Sequence, residues 1–159
     1  MAPQAQLLLP SSVLAGRPQR CREAINLGLD KFKAGDYQAA IELFETALEL
    51  PGSGVMRVSG TVREYSCPSE GEEHAALYNM ACAYARLGQR GPTLTCLEGL
   101  LEAGFDDIKS IRSDADLALV RGEELDRLLS KHDNPLNKLL GRKKKGQEAV
   151  GQKNRWIQW

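Results

Sequence analysis

Histidine is scarce in this chain, which has only His74 and His132 among its 159 residues. A histidine general base or an imidazole-rich metal site therefore has little material, and no Ser/His/Asp or Cys/His pattern of a nucleophilic enzyme is present. The stretch Gly52-Ser53-Gly54 lacks the third glycine and the following Lys-Ser/Thr of a phosphate-binding loop. The sequence predicts a protein that is not an enzyme, with no catalytic residue, no metal ligand and no cofactor.

Long apolar runs are missing as well. The longest apolar cluster, Leu7-Leu8-Leu9, stops at Pro10, whereas a membrane-spanning helix needs about 18 or more consecutive apolar residues. We therefore expect a soluble or peripheral protein.

The four cysteines are too few and too widely spaced for a zinc finger or a secreted disulfide scaffold. A reducing compartment is the simplest expectation. Cys82 and Cys96 fall on neighbouring predicted helices, where buried, inert thiols are expected. Cys67 falls in a predicted insertion and is the candidate for a redox-responsive thiol.

The chain has no net charge, because 21 basic and 21 acidic residues balance. General attraction to nucleic acid is therefore not expected. The balance hides an asymmetry: residues 97–129 carry 4 basic and 9 acidic side chains, whereas residues 130–159 carry 8 and 2. The basic end is expected either to fold back or to dock on something anionic.

The first 22 residues have the composition of a disordered leader or an organelle-targeting segment. They contain no acidic residue, and their charges are Arg17, Arg20 and Arg22. The alternative is an irregular terminus that carries no address. We divide the rest into a helical domain at 23–132, with an insertion at 51–73, and a basic tail at 133–159.

Two segments of the central domain share a helix-turn-helix pattern. The first helix is predicted from Glu23 to Gly35, and Asp36 is a suitable N-cap for the second, which ends at Pro51. A similar pattern follows further along the chain. Aligning the two places the starts of the segments at positions 21 and 74, an offset of 53 residues. The shared positions are Leu27-Gly28, Phe32, Gly35-Asp36-Tyr37, Ala40, Phe44 and Ala47 in the first segment, and Leu77-Tyr78-Asn79-Met80-Ala81, Tyr84, Leu87-Gly88 and Leu97 in the second.

This pattern resembles the tetratricopeptide repeat, whose period is about 34 residues. The resemblance implies an all-α fold: a short right-handed helical solenoid of two repeats with capping helices and flexible termini. Relative to the usual period, about 19 residues are inserted, and we predict an ordered loop there because its apolar residues are too interrupted for a strand or helix. Ser69 and Glu72 are cap candidates for the next helix. Residues 106–131 are predicted to form short capping helices.

A narrower resemblance rests on further segments of the chain. They are Ala47–Gly54, Glu70-Gly71-Glu72, Ala76–Cys82, Ala103–Asp107 and Ile111–Leu117. Together they resemble plastid tetratricopeptide proteins of plants and green algae, some of which are photosystem II assembly or repair factors of the low-photosystem-II-accumulation type. Ala115 stands where that family usually has proline, and the C-terminal membrane helices of those assembly factors are absent from this sequence. The resemblance implies a chloroplast location, in the stroma or on the stromal face of the thylakoid.

A pair of stacked helical hairpins presents its first helices to a partner along a concave face. We expect partner-binding side chains there, mostly apolar with basic edges: Ile25, Leu29, Phe32, Lys33, Tyr78, Asn79 and Arg86. Such a set suits an amphipathic helix, or an apolar peptide with acidic flanks. The alternative is that Ile25, Leu29 and Phe32 are covered by the leader or the insertion. Asn79 matches one residue of the clamp by which chaperone-binding repeats hold a peptide carboxylate. The other clamp positions hold Ile25 and Leu29 instead of lysine and asparagine, so recognition of chaperone tails is disfavoured.

The basic tail contains both tryptophans of the chain. We expect it to dock on a membrane surface or a protein through Arg142, Lys143, Lys144, Lys145, Trp156 and Trp159. A solvated tail and RNA contact are the alternatives, and RNA is disfavoured because the aromatic residues are not interleaved with the charges.

The sequence thus predicts a non-catalytic protein–protein interaction adaptor. The resemblance implies photosystem II assembly, repair or maintenance, with photosystem subunits or assembly factors as partners. The main alternative is a stably bound structural subunit of a larger thylakoid membrane complex, and a third is an RNA-associated repeat protein.

Overall fold

The computed structural model describes residues 16–54, 56–59 and 63–133. Within these ranges the chain is mainly helical, which agrees with the predicted all-α class apart from one short hairpin. In chain order the elements are α1 (Cys21–Lys33), α2 (Tyr37–Glu49), β1 (Met56–Ser59), β2 (Arg63–Ser66), α3 (Glu70–Arg86), α4 (Arg90–Glu102), α5 (Ile108–Ser113), a 3₁₀ helix (Ala115–Val120) and α6 (Glu123–His132).

Helices α1 and α2 form a tightly joined pair. Gly35 takes a positive φ of 82° in the turn, and the side chain of Asp36 accepts a hydrogen bond from Ala39 N at 3.2 Å. The predicted cap is confirmed. Phe44 of α2 is fully buried and lies against Gly28 of α1, so the missing side chain at Gly28 lets the two helices approach closely.

Helices α3 and α4 form a second pair that packs against the first through α2. Helix α3 begins with a capping box, in which Ser69 accepts from Glu72 N and the Glu72 carboxylate accepts from Ser69 N. Both predicted cap residues therefore act together. Pro92 lies in the first turn of α4, where its missing N–H removes no intrahelical hydrogen bond.

The prediction of a loop between the pairs is wrong for part of the insertion. Strands β1 and β2 pair antiparallel, with Met56 opposite Ser66 and Ser59 opposite Arg63. The prediction failed because each four-residue strand is too short to show an alternating pattern on its own.

The chain after α4 covers the second pair. The 3₁₀ helix packs mainly on α3, and its Leu117 and Val120 are fully buried. Helix α6 adds buried Leu125 and Leu129 to the same core. Residues 108–132 thus form the expected capping helices. Over the described ranges, no helix has both the length and the apolar character that a bilayer span needs.

Candidate functional site

The predicted partner-binding residues of α1 differ in their exposure. Ile25 and Leu29 are buried in the core, whereas Lys33 is exposed. Phe32 is half-buried, and its ring meets the Tyr37 ring edge-on at a centroid distance of 5.2 Å. Only the last turn of α1 therefore presents predicted site residues to a partner.

Tyr78 of α3 is also buried. Its hydroxyl donates a hydrogen bond to the Asp114 carboxylate at 2.7 Å, and its ring lies 5.8 Å from that of Phe105. Burial raises the pKa of Tyr78, and the hydrogen bond to Asp114 raises it further. Tyr78 is thus a neutral side chain that fixes the capping helices on α3.

Asn79 is 1% exposed, and its Nδ2 has no hydrogen-bond partner among the described residues. A buried amide donor without a partner costs about 1–3 kcal/mol. The side chain therefore keeps an unused donor next to Tyr78, although no solvent-exposed surface remains at this position.

Arg86 connects three elements at the surface. Its Nε donates to the Tyr37 hydroxyl at 3.1 Å, and its guanidinium lies 5.4 Å from the centre of the Tyr37 ring. A second nitrogen forms an ion pair with Asp116 at 3.4 Å. Phe32 and Arg86 therefore meet at a common neighbour, Tyr37, which the sequence analysis did not select.

The expectation that all seven side chains line an exposed face is wrong for four of them: Ile25, Leu29, Tyr78 and Asn79. For the two on α3 a reason is visible, since the 3₁₀ helix packs on that helix and Asp114 bonds Tyr78. From the sequence alone, residues 106–131 are expected only to cover the end of the core. The other three, Phe32, Lys33 and Arg86, remain at least partly exposed. Together with Tyr37, which contacts both Phe32 and Arg86, they form what we name the Arg86 surface.

A second cluster holds the base of the insertion. One carboxylate oxygen of Glu72 accepts hydrogen bonds from Ser53 N and Ser69 N, each at 2.8 Å, and from the Ser69 hydroxyl at 3.1 Å. Burial acts to raise the pKa of Glu72, but these hydrogen bonds outweigh it and hold the pKa below its usual range. The cap spacing predicted the contact with Ser69, whereas nothing local indicated the contact with Ser53.

The predicted burial of the Cys82 and Cys96 thiols is confirmed. Cys21, Cys82 and Cys96 are buried free thiols, and burial raises the pKa of Cys21 to about 12 and that of Cys96 to about 11. Cys67 is half-buried at the base of the hairpin. The predicted docking residues of the tail, Arg142 to Lys145 with Trp156 and Trp159, lie outside the described residues.

About two thirds of the chain is similar to a plant protein. It is 36% identical over 107 residues to a protein of Arabidopsis thaliana that is named as chloroplastic. The matched residues are 67% of this chain and 27% of the Arabidopsis protein, so the chain spans about a quarter of that relative's length. No protein-family model matches the chain. No solved structure matches it either.

Proposed function

We propose that this chain is a non-catalytic protein–protein interaction adaptor of the chloroplast, built on tetratricopeptide-like repeats. Its place is in the assembly, repair or maintenance of photosystem II, in the stroma or on the stromal face of the thylakoid. The name of the Arabidopsis relative supports the chloroplast location. The segments that resemble plastid assembly factors support the role.

The observation that carries the proposal is the Arg86 surface. The Arg86 side chain remains half exposed although it contacts Tyr37 and Asp116. The Phe32 ring next to it supplies an apolar edge, and Lys33 adds a second positive charge. An exposed guanidinium beside aromatic rings fits a partner segment that combines an apolar side chain with acidic flanks.

The packing of the first helix pair supports the repeat assignment. Small residues Gly28, Ala40 and Ala47 are buried where α1 and α2 meet, and Phe44 fills the space between them. These are the positions at which the sequence matches the tetratricopeptide pattern.

The test is affinity purification of the tagged full chain from its native cells after mild detergent treatment. Wild type is compared with Arg86→Glu and Phe32→Glu, and with Arg127→Glu as a control. Arg127 is a highly exposed arginine of α6 that forms an ion pair with Glu123. Recovered proteins are identified and quantified by mass spectrometry.

We expect photosystem subunits or assembly intermediates with wild type and Arg127→Glu, in amounts below one partner per chain. Arg86→Glu and Phe32→Glu should each reduce capture about tenfold, as a loss of ~1.4 kcal/mol would, with unchanged helical circular dichroism. Equal capture by both variants would reject the Arg86 surface. A fixed one-to-one ratio in a large complex would instead support the structural subunit, and recovery of RNA or unrelated soluble proteins would reject the photosystem role.

A further inference from the structure

A thiol and two carboxylates converge between α3 and the 3₁₀ helix. Ligand atoms of Cys82, Asp114 and Asp116 all lie within 4.8 Å of one another. Cys82 is fully buried, whereas the two aspartates are half-buried. The cluster therefore has a closed side at α3 and an open side toward solvent.

Local structure holds the two carboxylates together. Asp114 is the N-cap of the 3₁₀ helix, and its carboxylate accepts a hydrogen bond from Asp116 N at 2.9 Å. The other oxygen of Asp114 accepts from the buried Tyr78 hydroxyl. The capping turn thus places two like charges next to each other and fixes one of them on α3.

The Cys82 thiol faces these carboxylates from the buried side. It is a free thiol, and its sulfur lies within 4.8 Å of a carboxylate oxygen of Asp114 and of Asp116. Burial raises the pKa of Cys82, and the charges of Asp114 and Asp116 raise it further. A free thiol beside two carboxylates is an arrangement that a thiophilic cation would stabilise.

We propose that Cys82, Asp114 and Asp116 form a binding site for a divalent cation, such as Zn²⁺, that accepts both thiolate and carboxylate ligands. The thiol proton passes to solvent when the metal–sulfur bond forms. The fourth position of a tetrahedral site is left to water.

The distances suit one ion. With Zn–S at about 2.3 Å and Zn–O at about 2.1 Å, ligand atoms of a tetrahedral site lie about 3.5 Å apart. Binding of one ion would therefore draw together the three ligand atoms, which now lie within 4.8 Å of one another. The guanidinium of Arg86 is paired with Asp116. Its positive charge would therefore repel a metal ion bound at this cluster.

The test uses Co²⁺ as a probe of the reduced full chain, because a thiolate bound to Co²⁺ gives a sulfur-to-metal charge-transfer band. We expect one equivalent to bind, and added Zn²⁺ to remove the band. Cys82→Ala should abolish it. Cys96→Ala is the matched control, since Cys96 is also a buried free thiol of the neighbouring helix but lies near Glu45 rather than near this pair.

Two further variants test the carboxylates and the competing charge. Asp116→Asn should weaken Zn²⁺ binding about tenfold or more, whereas Arg86→Gln should strengthen it severalfold because the opposing cation is removed. Arg127→Gln should change neither. A missing band in the wild type, or a band that survives Cys82→Ala and disappears in Cys67→Ala, would overturn the proposal. Circular dichroism of each variant identifies any loss of folding.

Discussion

At the scale of single residues, the contact between Gly28 and Phe44 is the tightest constraint in the first helix pair. A Cβ built on Gly28 would lie 2.5 Å from Cε1 of Phe44, whose ring is fully buried. The glycine has ordinary helical backbone angles, so the requirement is steric closeness rather than an unusual φ. Any side chain here must displace the ring or separate the helices.

We therefore expect Gly28→Ala to destabilise the protein by about 1–3 kcal/mol, the usual cost of overpacking a core. Urea unfolding followed by circular dichroism measures this. Gly71→Ala is the control, because it changes the same residue type in helix α3, where nothing lies within 4 Å of the added Cβ. That variant should gain up to about 1 kcal/mol from helix propensity. Equal stability of the two variants would contradict the packing argument.

At the scale of elements, the β-hairpin is joined to the helices by backbone groups near its base. Gly52 N donates to Ser66 O at 3.0 Å, and Gly54 N donates to Cys67 O at 2.8 Å. Glu72 adds its hydrogen bonds from Ser53 and Ser69, so the start of α3 and both ends of the insertion share one buried carboxylate. The insertion is therefore a fixed part of the domain at its base.

This connection predicts a loss of stability in acid. The pKa of Glu72 is lower in the folded protein than in the unfolded chain, so the ionised carboxylate stabilises the fold above the unfolded pKa of about 4.3. That stabilisation disappears as the pH falls through the folded pKa. Urea unfolding between neutral and acidic pH should show this loss in wild type and a smaller loss in Glu72→Gln.

Glu73→Gln is the matched control, since it changes the exposed neighbouring residue of the same helix turn. It should keep the pH dependence of wild type. If Glu72→Gln does so too, the carboxylate is not the group that holds the hairpin.

Helix boundaries and caps could be predicted from the sequence because they depend on residues within a few positions of each other. Asp36 and Ser69 are examples. The cover over Tyr78 could not, since it depends on contacts between distant residues, such as Tyr78 with Asp114. The hairpin could not either, because its four-residue strands are too short to show an alternating pattern. The helical spacing of Ile25 and Leu29 predicts that they share one apolar helix face, because it depends on nearby residues. Which part of the chain or of a partner covers that face depends on the folded structure.

At the scale of the whole molecule, opposite charges are concentrated in two neighbouring segments of the chain. Between Lys138 and Arg155 there are seven basic residues and one glutamate, whereas residues 97–129 are strongly acidic. A basic segment with terminal tryptophans is typical of a contact with an anionic membrane surface. Under the proposed function, the tail would bring the chain to the thylakoid membrane and the Arg86 surface would hold the partner.

This arrangement predicts that the full chain binds vesicles containing phosphatidylglycerol and not neutral vesicles, as measured by cosedimentation. Each basic residue near the surface contributes about 1 kcal/mol, so replacing Arg142 to Lys145 with glutamine should weaken binding by roughly 4 kcal/mol, and added salt should weaken it in wild type. Trp156→Ala with Trp159→Ala should reduce the part that salt does not remove. Arg127→Gln alters an equally basic side chain outside the tail and should leave binding unchanged. If the glutamine variant sediments like wild type, the basic residues of the tail do not attach this protein to a membrane.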